Sequence, residues 1–125
     1  MKKILLIEDD KDQVDMYQLS FKIGGFDFIF SYTSADGLVK AITEQPDLIL
    51  LDLLLNHDNG LDVLKELKAK PETRNIPVII LTNFSKKETV DKALKLGAEE
   101  LMIKTDITPK ELVEKVKKIL LPNIN

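Results

Sequence analysis

The chain has 125 residues, with 18 lysines and arginines against 21 aspartates and glutamates, so its formal net charge is −3. This length fits one domain, and the acidic balance gives no general attraction to nucleic acid or to an anionic membrane surface. The chain has no cysteine and one histidine, His57, which excludes disulfides, thiol nucleophiles and multi-histidine metal centres. No apolar run approaches the roughly 20 residues that span a bilayer, and the N-terminus turns acidic at Glu8, so we expect a cytoplasmic protein without a signal peptide.

Five short apolar runs alternate with five segments of helical periodicity. Runs that are apolar throughout are typical of strands buried on both faces, as in a parallel sheet. The predicted strands are 4–7, 26–32, 48–51, 78–81 and 101–103. The predicted helices begin at Asp10, Ser34, Asn59-Gly60, Ser85 and Thr108, and they end at Gly24-Gly25, before Pro46, at Lys70, at Gly97 and before Pro122.

Three of the predicted helix starts have the spacing of a capping box, in which the capping residue is followed three positions later by Glu or Gln. They are Asp10 with Gln13, Ser85 with Glu88, and Thr108 with Glu111. The last of them also has proline at the first helical position, where its missing N–H costs nothing. We therefore expect the fifth helix to have the best-defined start.

Strict alternation of strands and helices predicts right-handed crossovers and an α/β fold, a doubly wound parallel sheet of five strands with five helices. The five units use essentially the whole of residues 1–125, so we expect a single domain and no effector domain. In such sheets ligands bind at the carboxyl ends of the strands. The polar side chains that stand at these ends are Glu8, Asp9 and Asp10 after the first strand, Asp52 after the third, Thr82 after the fourth and Lys104 after the fifth.

Asp52 interrupts an apolar run that extends from residue 48 to 55. A carboxylate in such surroundings loses hydration unless something compensates it. Taken alone, this aspartate also fits a residue that caps a turn or a helix. Acidic residues before the first helix are likewise favourable with its dipole, a role that we assign to Asp10.

Glu8 and Asp9, if directed toward Asp52, would repel it and raise the pKa values of the group. A divalent cation relieves this repulsion, and carboxylates in a chain without usable sulfur or imidazole ligands suit Mg²⁺. Lys104 alone also fits a solvated lysine, and Thr82 alone an ordinary strand terminus. In combination these residues predict phosphoryl transfer, in which a carboxylate attacks phosphorus while a lysine and a hydroxyl stabilise the phosphoryl oxygens.

The chain resembles, nearly from end to end, the response-regulator receiver domains of two-component signalling. The stretches that carry the resemblance are 3–10, 46–52, 59–61, 76–82 and 95–99, with Lys104 beyond them. The resemblance implies a flavodoxin-like fold with strand order 2-1-3-4-5. It implies that Asp52 is the phospho-acceptor and that Thr82 and Lys104 hold the phosphoryl group.

For the metal, the resemblance implies that Mg²⁺ is bound directly by Asp9, Asp52 and the backbone carbonyl of Leu54, with Glu8 acting mostly through water. The donor would be a phosphohistidine on a sensor histidine kinase or a phosphotransfer protein. The chain would be a phosphorylated signalling switch rather than an enzyme, and it would act on a downstream protein. That partner surface would be the fourth helix, fifth strand and fifth helix, where a homodimer is another option; direct nucleic-acid or membrane contacts are not expected.

Several residues depart from the family pattern. The lysine is followed by Thr105 instead of proline, so we expect a trans peptide there, and the usual switch aromatic is replaced by Leu101. Asn83 and Phe84 follow Thr82 in place of a small residue, with two alternative consequences: narrower access to Asp52 or slower hydrolysis of the acyl phosphate. These departures leave open a pseudo-receiver, an interaction module with the same fold that signals without phosphate.

One more departure from the family pattern lies after the third strand, and two other classes of protein are alternatives. Asn56-His57 replaces a common Pro-Gly pair, and we expect the histidine to be a loop residue rather than a ligand or phosphodonor. A flavin carrier is disfavoured because Glu8 and its acidic neighbours would repel a flavin phosphate. A small aspartyl phosphatase is disfavoured because Leu54 occupies the position of its second acid.

Overall fold

The computed structural model describes residues 1–55, 58–83 and 86–121. Interpretations that concern Asn56-His57, Phe84, the Ser85 cap and Pro122 therefore lie outside the described residues. Among the described residues the elements alternate as the sequence predicts. The strands of the main sheet are β1 (Lys3–Ile7), β2 (Asp27–Ser31), β3 (Leu48–Leu51), β4 (Val78–Thr82) and β5 (Glu100–Ile103). The helices are α1 (Lys11–Ile23), α2 (Ser34–Glu44), α3 (Gly60–Ala69), α4 (Lys87–Lys95) and α5 (Pro109–Leu120).

The five strands form one parallel sheet in the order β2-β1-β3-β4-β5. This order and the doubly wound α/β architecture confirm the predicted fold. In register, Ile7 of β1 lies beside Leu51 of β3, so the residues that follow these two strands emerge next to each other. The order thus places the ends of β1 and β3 side by side at the centre of the sheet, where ligands of doubly wound folds bind.

Each face of the sheet carries its own apolar core, because alternate residues of a strand point to opposite faces. Ile4 and Leu6 of β1 pack with α1 and α5, whereas Leu5 and Ile7 pack with α2, α3 and α4. All four side chains are at most 1% exposed. Burial on both faces explains why the strands read as continuous apolar runs rather than alternating ones.

Helix starts follow the predicted caps at α5 and in part at α1, whereas α4 is capped at Lys86 and not at the predicted Ser85. Thr108 and Glu111 form the complete capping box at α5, with the Glu111 amide donating to Thr108 Oγ1 at 3.1 Å and the Thr108 amide donating to Glu111 Oε1 at 2.9 Å. At α1, Asp10 Oδ1 accepts from the amides of Asp12 (2.9 Å) and Gln13 (3.2 Å). The second half of this box is wrong, since the Asp10 amide donates to a Glu8 carboxylate oxygen at 3.3 Å instead.

Differences from the predicted boundaries are small. β2 is shorter than 26–32, and α4 begins at Lys87, after a capping position at Lys86 that makes no side-chain cap bond. Gly97, predicted to end the fourth helix, follows it in a left-handed conformation with φ of 106°, which favours glycine. The peptide after Lys104 is trans as predicted, because no cis peptide occurs among the described residues.

A short hairpin was not predicted from the sequence. Leu54–Leu55 pairs antiparallel with Asp58–Asn59 between β3 and α3. Of the helices in the described part of the chain, the longest is α1 with 13 residues, and none is both long and apolar enough to cross a membrane.

Candidate functional site

Four loops at the carboxyl edge of the sheet bring together the side chains that the sequence singles out. Glu8 follows β1, Asp52 follows β3, Thr82 ends β4, and Lys104 follows β5 in a single turn of 3₁₀ helix, Lys104–Asp106. Parallel strands end at the same edge, so residues 96 positions apart in sequence become neighbours. The prediction that these strand ends share one site is confirmed for Glu8, Asp52 and Lys104.

The ammonium of Lys104 lies at the centre of the site. Its Nζ donates to Glu8 Oε1 at 2.5 Å, to Gln13 Oε1 at 2.6 Å and to Asp52 Oδ2 at 3.0 Å. Only 8% of the Lys104 side chain is exposed, so these are charge-assisted hydrogen bonds in a partly water-excluded site, where they are stronger than at the surface. Lys104 is therefore not a solvated lysine.

Three carboxylates lie close together at the site, and two of them contact this lysine. Glu8 is 1% exposed and Asp52 is 6% exposed, while Asp9 is half-buried. One carboxylate oxygen from each lies within 4.8 Å of the others, an arrangement that can hold a metal ion. With all three ionised, three negative charges stand against the one positive charge of Lys104, leaving two to be balanced. The donor set and its net charge of −2 fit a divalent cation that prefers oxygen ligands.

Electrostatics at Glu8 reflect this crowding. Burial, the largest influence, and the negative charge of Asp52 together raise the pKa of the Glu8 carboxyl to about 7, despite the Lys104 hydrogen bond, which lowers it. For Lys104, burial lowers the pKa, but its hydrogen bonds to Glu8 and Asp52 outweigh burial and raise the pKa above its ordinary value. The lysine thus stays charged, while the acids around it are only partly neutralised.

The backbone around Asp52 fixes the direction of its carboxylate. The amide of Leu54 donates to Asp52 Oδ1 at 3.0 Å, leaving Oδ2 to Lys104. Gly60, the first residue of α3, packs directly on this turn: a Cβ there would lie 2.5 Å from the carbonyl oxygen of Asp52 and 2.6 Å from the Cα of Leu53. Only glycine fits, so the start of α3 supports the Asp52 turn.

Of the other residues that the sequence singled out, Leu54, Thr82 and Asn83 lie at or just beyond the carboxyl ends of their strands, whereas Leu101 lies within β5. Thr82 is 1% exposed and lies in register with Ile103, the last residue of β5, which directly precedes Lys104. Asn83 is exposed, and Leu101 is half-buried against the core on the α2–α4 face. Leu54 has a side chain that is 61% exposed, and its amide holds Asp52; the role of its carbonyl as a metal ligand stays a prediction.

Gln13 is the residue of the site that sequence reasoning missed. Its position three residues after Asp10 predicted a role in the helix cap, but its side-chain oxygen instead accepts from Lys104. The available signal was positional: Gln13 lies in the first turn of a helix that begins at the carboxyl edge of the sheet. That position alone does not specify which partner a flexible amide selects.

Comparison with known proteins agrees with this geometry. Residues 4–117 match the family model of the response regulator receiver domain. The alkaline phosphatase synthesis transcriptional regulatory protein PhoP of Bacillus subtilis (strain 168) is 37% identical over 121 residues, which are 95% of this chain and 48% of PhoP. The chain thus spans about half the length of this curated relative.

Solved structures show the same fold. A two-component response regulator from Clostridium difficile has a TM-score of 0.89 at 26% identity, covering 99% of this chain and 100% of that one. The Mn²⁺-bound form of the response regulator Rcp1 has a TM-score of 0.82 at 26% identity, covering 100% of this chain and 98% of that one. The sequence match, the fold and the acidic edge of the sheet converge, and this chain belongs to the family of response regulator receiver domains.

Proposed function

We propose that this receiver domain is a Mg²⁺-dependent phosphorylation switch in two-component or phosphorelay signalling, and that Asp52 is the residue that accepts the phosphoryl group. The observation that carries the proposal is the environment of Asp52. This carboxylate is almost fully buried at a strand end, beside one ammonium and two further carboxylates. A buried carboxylate in such a cluster fits a nucleophile better than a helix cap, because the cluster provides the charges that phosphoryl transfer needs.

The residues that would hold Mg²⁺ are Asp9, Asp52 and the backbone carbonyl of Leu54, with Glu8 acting mostly through water. Support comes from the three carboxylate oxygens within 4.8 Å of one another and from the excess of negative charge around them, which is −2 when all three acids are ionised. The related response regulator Rcp1 has been solved in a Mn²⁺-bound form, and Mn²⁺ shares the preference of Mg²⁺ for oxygen ligands. When bound, the cation neutralises phosphoryl oxygens during transfer.

In the transfer step, a carboxylate oxygen of Asp52 forms a bond to phosphorus as the P–N bond to the donor imidazole breaks, and that electron pair goes to the imidazole nitrogen. Lys104 is placed to exchange its 3.0 Å contact with Asp52 for a hydrogen bond to one phosphoryl oxygen. The hydroxyl of Thr82 would donate to a second phosphoryl oxygen. The Leu54 amide holds Asp52 Oδ1 and so keeps the carboxylate oriented, which lowers the barrier by positioning.

The donor would be a phosphohistidine on a sensor histidine kinase or a phosphotransfer protein. The phosphorylated domain would act on a downstream protein, through a shift between two pre-existing conformations, and not as an enzyme with a separate substrate. We assign the partner surface to α4, β5 and α5, through which a second copy of the chain is the alternative partner. α4 carries Lys87, Lys92 and Lys95, charges that suit an acidic protein surface.

The test is phosphorylation by acetyl phosphate with Mg²⁺, followed by intact mass and by mapping of the modified residue. Wild-type protein should gain one phosphoryl group, and Asp52→Asn should gain none because an amide is not a nucleophile here. The matched control is Asp47→Asn, since Asp47 lies just before β3, at the opposite edge of the sheet, and accepts from the amide of Lys3. Equal labelling of Asp52→Asn and wild type would place the acceptor elsewhere.

A pseudo-receiver is the second candidate, and Leu101 and Thr105 are the observations that favour it. In that case the domain would bind its partner with no phosphate on Asp52. The same experiment separates the two candidates: wild-type protein that takes no phosphate from acetyl phosphate or from a phosphorylated histidine donor would favour the pseudo-receiver. Omission of Mg²⁺ provides the internal comparison, because labelling that persists in chelator would contradict the proposed metal dependence.

A further inference from the structure

Lys104 uses every hydrogen-bond donor that it has. A lysine ammonium carries three N–H bonds and no acceptor, and here the three bonds go to Glu8, Gln13 and Asp52 at 2.5, 2.6 and 3.0 Å. Two of these acceptors are carboxylates with proposed roles in metal binding and transfer. Gln13 is the third, and it is the only neutral one.

The start of α1 explains how Gln13 reaches Lys104. In a full capping box, the side chain at this position would turn back to the amide of Asp10. Here that amide donates to Glu8 Oε2 at 3.3 Å, while Asp10 Oδ1 accepts from the Gln13 amide at 3.2 Å and fixes the first turn. Because Glu8 has taken the reciprocal cap bond, the Gln13 side chain is directed to the site instead.

The chemistry of the amide suits an ammonium that has to exchange one partner. During transfer Lys104 would give up its longest contact, to Asp52, in favour of a phosphoryl oxygen. A fourth carboxylate at position 13 would repel the incoming phosphoryl group, and an apolar side chain would leave one N–H of a nearly buried ammonium without an acceptor. A glutamine oxygen accepts the bond without adding negative charge.

We propose that Gln13 is a positioning residue for phosphoryl transfer: its side-chain oxygen holds Lys104 in place while the lysine exchanges Asp52 for the phosphoryl group. This role rests on the proposed function of Asp52. Gln13 does not contact the reacting atoms in this account; it acts through Lys104. Its loss should therefore slow the transfer step and leave metal binding intact.

The experiment compares Gln13→Met with Gln18→Met, the same substitution at another glutamine of α1. Methionine keeps the length and helix propensity of glutamine but offers no comparable acceptor. Phosphorylation is followed over a range of acetyl phosphate concentrations, which separates the limiting rate constant from donor binding. We expect Gln13→Met to lower the limiting rate constant about tenfold, with unchanged Mg²⁺ affinity, and Gln18→Met to match wild type.

A second measurement needs no phosphate. In metal-free protein, the ammonium protons of Lys104 should exchange slowly with water, as read by ¹⁵N NMR. Gln13→Met should accelerate this exchange several-fold, whereas Gln13→Glu should keep it slow because a carboxylate accepts the same bond. Exchange that is the same in wild type and Gln13→Met would overturn the proposal, as would equal limiting rate constants.

The two possible failures have different signatures. Wild-type protein that is never phosphorylated overturns the proposed function, and the role of Gln13 with it. Wild-type protein that is phosphorylated at Asp52, with a Gln13→Met variant that is equally fast, overturns only the role of Gln13. Equal slowing by Gln13→Met and Gln18→Met also overturns it, because the effect would then come from the helix rather than from the contact.

Discussion

Replacement of Glu8 by glutamine should stabilise the metal-free protein at alkaline pH. In the folded protein burial raises the pKa of Glu8 to about 7, from an ordinary value of 4.5. Between these two values the folded state binds more protons than the unfolded state, so the free energy of unfolding falls as pH rises through this window. The contribution is fully present below pH 4.5 and is lost by the time pH has passed 7.

The size of the stability change follows from the same shift in the pKa of Glu8. A change from 4.5 to about 7 corresponds to about 3 kcal/mol of free energy of unfolding, and Glu8 is only 1% exposed, so screening by solvent reduces it little. Glutamine at this position carries no charge at any pH and retains one oxygen that can accept from Lys104, but its amide nitrogen cannot accept from the Asp10 amide as Glu8 Oε2 does, at a cost of about 1 kcal/mol at every pH. At pH 8 without metal, Glu8→Gln should therefore be more stable than wild type by about 2 kcal/mol, and near pH 4.5 it should be less stable by about 1 kcal/mol.

The assay is urea unfolding followed by circular dichroism, in chelator, at several pH values between 4.5 and 8. Glu66→Gln is the control, because Glu66 is exposed on α3 and should change stability little at any pH. Addition of Mg²⁺ at pH 8 should stabilise wild type more than the variant, since the metal would balance the charge that glutamine lacks. A Glu8→Gln protein that is less stable than wild type at pH 8 in chelator would contradict this prediction. The attraction between Lys104 and ionised Glu8 would then exceed the free-energy cost of burying the Glu8 charge.

Three other substitutions test the supports of the site and the core. Gly60→Ala should displace the Asp52 turn, slowing phosphorylation and lowering the free energy of unfolding by about 1–3 kcal/mol, as measured by labelling time courses and urea unfolding; unchanged labelling would contradict the close packing. Thr73→Val should cost about 1–2 kcal/mol in urea unfolding, because the buried hydroxyl donates to the carbonyl of Leu67 at 2.6 Å; a neutral result would show that the carbonyl finds another donor. Phe21→Ala should cost about 3–5 kcal/mol, because the ring is fully buried; a cost below 1 kcal/mol would mean that the core closes over the cavity.

Much of the fold could be predicted because strands that are buried on both faces of a sheet have continuous apolar sequences. The continuous aliphatic runs at Ile4–Ile7 and Leu48–Leu51 predicted two central strands, and both are fully buried. The start of α5 was equally clear, since Thr108 and Glu111 need only each other to form their cap. The order of the strands came from the family resemblance and not from the residues themselves.

The features that the sequence did not predict depend on which of several hydrogen-bond partners a side chain contacts in the folded protein. The Gln13 side chain could accept from the Asp10 amide, as in a capping box, or from Lys104. Glu8 accepts from the Asp10 amide, so Gln13 accepts from Lys104. Likewise α4 begins after Lys86, which makes no side-chain cap bond, so the capping-box spacing of Ser85 and Glu88 pointed to a start one residue too early. The antiparallel pairing of Leu54–Leu55 with Asp58–Asn59 is too short for alternation to be visible. Such features follow from the assembled structure rather than from any one segment.

The Lys104–Glu8 ion pair joins the first βα unit to the last. The two residues are separated by 96 positions, so the acidic group formed early in the chain stays without its cation until the final strand has been added to the sheet. A nascent or truncated molecule that ends before β5 has the acids but not the lysine. Completion of this charge cluster is therefore tied to completion of the domain, and only a fully assembled molecule presents it.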